Sequence, residues 1–219
     1  MIKLCVFDLD GTILDTLPSI SYFGNEALKK YGFSEVLYSK YRYFVGDGAK
    51  MLIKRMIEDV GGNEEDYNNV YNEYMQTYTK NSTYLTKIYD GIDTMLEKIK
   101  ELGVKSVILT NKPQKQAENV LKETVKEGSF EKIYGGKENV PLKPDPTVLL
   151  NIINEYKVKK DEVLFIGDTK TDLETANNGG VKSIGVLWGF RDEEELKKYN
   201  ATYIVKTPDE ITDIIKTNI

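Results

Sequence analysis

The chain has 219 residues, 40% of them hydrophobic, enough for one large α/β domain or for a domain carrying a smaller companion. Its 35 acidic side chains outnumber 30 basic ones, and a net charge of -5 leaves no basic footprint for a nucleic-acid polymer or an anionic membrane surface, while a small phosphorylated metabolite remains compatible. The absence of histidine excludes Ser-His-Asp triads, Cys-His pairs and His-ligated zinc, and the single Cys5 excludes intrachain disulfides and cysteine metal clusters, so catalysis has to run on carboxylates, lysine, threonine and metal. No apolar stretch approaches the roughly 20 residues of a membrane helix. With an amino terminus that reads as unprocessed, this predicts a cytoplasmic protein, monomer or homodimer, without a membrane partner.

The first predicted element is a buried strand. Leu4, Cys5, Val6 and Phe7 form an unbroken apolar run with β-branched and aromatic members, and Asp8, Leu9, Asp10, Gly11 and Thr12 follow at once. Cys5 reads as a small buried hydrophobe. Pro18 suits the first turn of a helix, with Asp15 and Thr16 at its start. From residue 19 to residue 83, apolar and aromatic positions recur at three- and four-residue spacing, with Gly32, Gly46 and the Gly61-Gly62 pair as breaks; the pattern predicts about four helices and no strand. Tyr67, Tyr71, Tyr74 and Tyr78 step by four, three and four, which places them on one helix face. That stripe reads as a packing face against a neighbouring helix, with an aromatic wall for a substrate or partner as the other reading.

The pattern then changes to alternation. An amphipathic helix over 91–102, ended by Gly103, leads to an apolar strand over 104–111 with Thr110 and Asn111 at its tip. Pro113 opens a helix expected to run to about residue 127 with Gly128 as its cap. A short strand over 132–136 runs into the loop Leu142-Lys143-Pro144-Asp145-Pro146, where Asp145 reads as a capping residue for a helix over 147–156. A buried strand over 163–166 ends in Gly167-Asp168-Thr169-Lys170-Thr171-Asp172. A helix over 173–178, a strand over 183–187, a charged helix from Asp192, a strand over 202–205 and a last helix near Thr207 and Pro208 complete the order.

Strands alternating with helices after residue 85, plus a first strand at residue 4, predict an α/β doubly wound parallel sheet interrupted early by a helical insertion. The core is expected to be residues 1–14 with 85–219, and the α-helical cap residues 15–84. Parallel strands present their carboxyl ends on one edge, so Asp8, Asp10, Thr110, Asn111, Asp168 and Asp172 should converge there, with Lys143 in a loop able to join them. Four crowded carboxylates need a cation, and an oxygen-only donor set suits Mg2+, which prefers to share its shell with a substrate phosphate. Lys143 can hold a phosphate oxygen, and Thr110 and Asn111 add neutral donors. Phosphoryl transfer through an aspartyl phosphate follows as the reaction class.

Asp8-x-Asp10-Gly11-Thr12, Thr110-Asn111, Lys143-Pro144 and Gly167-Asp168-x-x-x-Asp172 resemble, in order, the four motifs of the haloacid dehalogenase-like hydrolase superfamily. The resemblance implies a Rossmann-like core with Asp8 as nucleophile and metal ligand. It makes Asp10 the general acid and base, giving its backbone carbonyl to the metal, and Thr110 and Asn111 the phosphoryl-binding pair. Lys143 would orient the nucleophile and offset phosphoryl charge, Asp168 would ligate Mg2+, and Asp172 would act on the metal or its waters. The insertion resembles the cap that closes over the substrate. The aspartate at position 10 speaks for phosphate monoesters rather than for dehalogenation or phosphonate cleavage, and the lack of a cap histidine speaks against a β-phosphoglucomutase. Phe44-Val45-Gly46-Asp47-Gly48 with Arg55, Thr110-Asn111-Lys112 and Trp188-Gly189-Phe190-Arg191 look like the phosphoglycolate phosphatase group, which implies 2-phosphoglycolate as substrate. Arg55 or Lys50 would pair with its carboxylate, or either is a solvated helix charge; Gly46 and Gly48 would let the cap backbone approach the substrate, or break a helix. The competing readings are a pyrophosphatase or 5'-nucleotidase of the same subfamily and, in another class, a non-catalytic phosphate-binding regulatory protein.

Overall fold

Four apolar residues without a polar break leave β1 (Leu4–Phe7) nothing to offer solvent, and all four are fully buried. The computed structural model, which describes residues 1–218, sets this strand inside a six-stranded parallel sheet. The strands are β1, β2 (Leu14–Asp15), β3 (Lys87–Ile88), β4 (Lys105–Pro113), β5 (Lys132–Gly136), β6 (Val163–Gly167), β7 (Lys182–Val186) and β8 (Tyr203–Val205). The large sheet runs β5-β4-β1-β6-β7-β8, and β2 pairs with β3 in a small antiparallel sheet. Helices α1 (Leu17–Lys30), α2 (Tyr38–Phe44), α3 (Ala49–Val60) and α4 (Glu64–Lys80) lie between β2 and β3 in the chain. They are followed by α5 (Ile92–Glu101), α6 (Gln114–Thr124), α7 (Thr147–Tyr156), α8 (Lys170–Gly179), α9 (Glu193–Lys198) and α10 (Pro208–Thr217).

The period of two along a strand sorts β1 into both halves of the core. Cys5 and Phe7 join Ile92, Met95, Ala117, Val120, Ile211 and Ile215 from α5, α6 and α10. Leu4 and Val6 join Leu149 and Ile152 of α7 and Ala176 of α8. A sheet covered in this way explains why its strands read as continuous apolar runs. A third apolar cluster belongs to α1–α4, with Leu28, Tyr41, Ile53, Met56, Val70 and Tyr78 at its centre and Phe190 reaching in from the loop after β7.

Several elements differ from the sequence expectation. Helix α6 ends at Thr124, because Val125 is extended, and Gly128 takes its positive φ of 78° in a later turn rather than as the helix cap. Helix α8 starts at Lys170, three residues before the expected Leu173, because Thr169 and Asp172 form a capping box that brings Lys170 and Thr171 into the first turn. The pair β2 and β3, two residues each, is too short to leave a periodic signal. The four insertion helices, with Pro18 in the first turn of α1, match the expected count.

Candidate active site

Pairing of Leu4 with Lys105 and with Val163 aligns β1, β4 and β6 so that their carboxyl ends open on one edge. Asp8 is the first residue past β1, and its backbone N–H donates to the Ile166 carbonyl at 2.9 Å. One ammonium joins two of the motifs: Lys143 Nζ lies 2.8 Å from Asp8 Oδ1 and 2.6 Å from Asp172 Oδ1. Lys143 reaches that position because Asn111 holds its backbone. Asn111 Oδ1 accepts from the Lys143 N–H at 2.8 Å, and Asn111 Nδ2 donates to the Lys143 carbonyl at 3.0 Å and to the Gly46 carbonyl at 3.1 Å. Both amide hydrogens of Asn111 are thereby engaged.

Asp168 is fully buried and held at both oxygens, Oδ1 accepting from the Thr12 hydroxyl at 3.1 Å and Oδ2 from the Phe190 N–H at 2.8 Å. Gly11 makes room for it: with φ of 88°, any side chain there would be strained and would fall on the Asp168 carboxylate. Asp172 Oδ2 accepts from the Thr169 N–H at 3.0 Å and the Thr169 hydroxyl at 2.8 Å, so the residue caps α8 as well as pairing with Lys143.

Asp8, Asp168 and Asp172 can each present an oxygen within 4.8 Å of the others. These three buried carboxylates face one buried ammonium, which leaves two negative charges to be balanced. Burial, and then the charge of Asp172, push the Asp8 carboxyl up to about 7 against the pull of Lys143. Burial, followed by Asp172 and Asp8, holds Asp168 well above the usual carboxylate range. Burial alone would lower the Lys143 ammonium, yet Asp172 and Asp8 outweigh it and raise the group. A hard divalent cation on this oxygen-only set supplies the missing charge, so the residues fit such an ion.

A cavity of about 50 Å³ lies between this edge and the insertion. Asp8, Asp10, Thr110 and Asn111 line it from the sheet side, and Ile20, Gly48, Leu52, Tyr74 and Tyr78 from the helical side. Gly48, with φ of 87°, precedes α3 and turns the cap backbone onto the cavity. Thr110 is buried, its hydroxyl accepting from the Lys112 N–H at 3.2 Å. Asp10 turns to Lys112, whose Nζ lies 2.9 Å from Oδ1 and 3.2 Å from Oδ2 and donates to the Tyr78 hydroxyl at 2.6 Å.

The structure does not bring Lys50 or Arg55 to this cavity. Lys50 is exposed on a groove beside Met51 and Tyr67, and Arg55 bonds Asp47 and the Phe44 carbonyl while Asp47 accepts from the Thr171 hydroxyl at 2.8 Å. Of the tyrosine stripe, Tyr74 and Tyr78 stack with centroids 5.1 Å apart, and they are at once core residues of the cap and walls of the cavity. Asp145 accepts from the Thr147 N–H at 2.8 Å at the start of α7. Lys112, Thr12 and Phe190 stand in the motifs read from the sequence, but no role followed for them there. For Lys112 a signal existed, since it stands two residues after Thr110 and so shares its face if the strand runs on to Pro113.

Chemically, the set can attack phosphorus with a carboxylate held beside an ammonium, and can move a proton at a second carboxylate on the cavity wall. Among the described residues no helix is long and apolar enough to cross a membrane. The phosphoglycolate phosphatase of Vibrio cholerae serotype O1 is 30% identical over 211 residues, covering 93% of this chain and 92% of that one. The protein of that name from Vibrio parahaemolyticus is 27% identical over 222 residues, covering 98% and 96%. The crystal structure of a candidate phosphoglycolate phosphatase from Lactobacillus delbrueckii subsp. bulgaricus superposes with a TM-score of 0.92 at 26% identity, over 97% of this chain and 98% of that one. The model of the family described as haloacid dehalogenase-like hydrolase matches residues 5–186, from β1 through β7. With its sheet, its insertion and its carboxylate edge all inside that match or continuous with it, the chain belongs to the haloacid dehalogenase-like hydrolases and is a phosphoric monoester hydrolase.

Proposed function

We propose that the protein hydrolyses 2-phosphoglycolate with Mg2+, through a phosphoryl group carried on Asp8. The observation that carries this reading is the small cavity against the buried carboxylates. At about 50 Å³ it has room for only a few water-sized groups beside Asp8, which suits a two-carbon leaving group and not a nucleoside. In the first half-reaction an Asp8 carboxylate oxygen bonds to phosphorus, the ester P–O bond breaks, and Asp10 gives its proton to the departing oxygen. In the second, Asp10 takes a proton from a water whose oxygen attacks the same phosphorus, releasing inorganic phosphate and restoring Asp8. Lys143 orients the Asp8 carboxylate and offsets phosphoryl charge, and the Thr110 hydroxyl contributes a hydrogen bond to a phosphoryl oxygen. The carboxylates of Asp8 and Asp168 and the backbone carbonyl of Asp10, with Asp172 beside them, would hold magnesium, which would supply Lewis acidity and neutralise phosphoryl charge.

The test is phosphate release from 2-phosphoglycolate, pyrophosphate and a nucleoside monophosphate panel, each with magnesium and with chelator. Magnesium-dependent turnover led by 2-phosphoglycolate is expected, and Asp8→Asn should lose it by on the order of a thousandfold or more. Preference for a nucleotide or for pyrophosphate would sink the substrate assignment.

A further inference from the structure

Resting on the reading of 2-phosphoglycolate as substrate, we infer that Lys112 is the residue that selects for it, its ammonium serving as counter-charge to the leaving group's carboxylate. Among the described residues Lys112 is the one cation lining the cavity, and its side chain is 3% exposed. On the cap side the wall is apolar residues, glycines and the two tyrosines, among them Ile20, Gly48, Leu52, Tyr74 and Tyr78, so a second negative charge on a substrate has no other positive partner there. Lys143 is occupied by Asp8 and Asp172, and Arg55 by Asp47 and the Phe44 carbonyl, outside the cavity.

The geometry makes Lys112 available to a ligand without exposing an unpaired buried charge. Its Nζ is shared between the two Asp10 oxygens and the Tyr78 hydroxyl, and it lies 4.7 Å from the centre of the Tyr78 ring. An ammonium has three hydrogens, so a substrate carboxylate replaces one Asp10 contact while the other and the phenol keep the side chain in place. Asp8 and Lys112 line the same cavity, which puts the attacking oxygen and the counter-charge on one short substrate. A neutral leaving group leaves the ammonium unrewarded.

The experiment compares kcat/KM for 2-phosphoglycolate and for 2-hydroxyethyl phosphate, the same ester with an alcohol in place of the carboxylate, in wild type and in Lys112→Gln, Lys112→Met and Lys112→Arg. Wild type should prefer the carboxylate. In the Gln and Met variants that preference should fall about thirtyfold, mainly through KM, which is the worth of one buried charge-assisted hydrogen bond. Lys112→Arg, which keeps the charge, should retain most of it. Using two neutral replacements guards against one that fails to fold, with circular dichroism as the check. A preference unchanged in the neutral variants, with both substrates slowed alike, would overturn the inference and reduce Lys112 to a positioning residue for Asp10. Absence of any carboxylate preference in wild type would instead overturn the substrate reading on which the inference rests.

Discussion

With no cation bound, the folded chain keeps a proton on Asp8 up to about pH 7, whereas an unfolded aspartate releases it near pH 4. Asp168 is raised in the same direction. Between those two values the folded state binds more protons than the unfolded one, so the stability of the metal-free protein falls as pH rises through that window. The thermal midpoint in chelator should therefore decline from pH 5 to pH 8, and saturating magnesium should remove the decline and add about 2.7 kcal/mol at a hundredfold excess over its dissociation constant. A midpoint in chelator that stays level with pH would contradict the charge imbalance at the site. At this scale the sequence was informative for acids at strand ends, because a buried run followed by Asp8 or Asp168 leaves few other places for the carboxylate. It was silent on what holds them. That Asn111 spends its amide on the Lys143 backbone, and that Lys143 pairs with Asp172, are facts of three-dimensional approach between segments 29 to 32 residues apart.

Single elements owe their limits to a few local contacts. Helix α4 starts where Asn63 accepts from the Glu65 and Asp66 N–H groups and Asp66 returns a bond to the Asn63 N–H. Asn63→Ala should cost about 1 kcal/mol in urea denaturation, and Asn63→Gly less, because glycine is tolerated at that position. A loss equal in both variants would mean the box is not what starts the helix. Long periodic stretches such as α4 and α7 could be read from spacing, and α7 runs over the expected residues 147–156. Ends set by a reciprocal cap or by one extended residue could not, as α8 and α6 show. The strand β4 ran two residues further than its apolar pattern because Pro113 still pairs with Gly136 across a register shift, and that extension carries Lys112 to the cavity.

Across the whole molecule, the insertion is fastened to the sheet by polar ties and one aromatic ring. Arg42 Nε donates to the Phe190 carbonyl at 2.7 Å, Arg191 Nη2 to the Val45 carbonyl at 3.2 Å and the Thr171 hydroxyl to Asp47 at 2.8 Å. The ring of Phe190 packs into the apolar cluster of α1–α4. Phe190→Ala should loosen this docking by about 3 kcal/mol, seen as faster amide exchange in α1–α4 with the sheet amides unchanged, and as a rise in KM. Equal acceleration in both parts would show a global loss of stability instead. Periodicity announced a helical block between strands, but nothing in the spacing of residues 188–191 told that one of them would complete the core of that block. The same residue gives its N–H to Asp168. The cap is therefore not an interchangeable lid: transplanting a foreign one onto this core would change what receives the ring at position 190, and with it the aim of a carboxylate that the graft never touches.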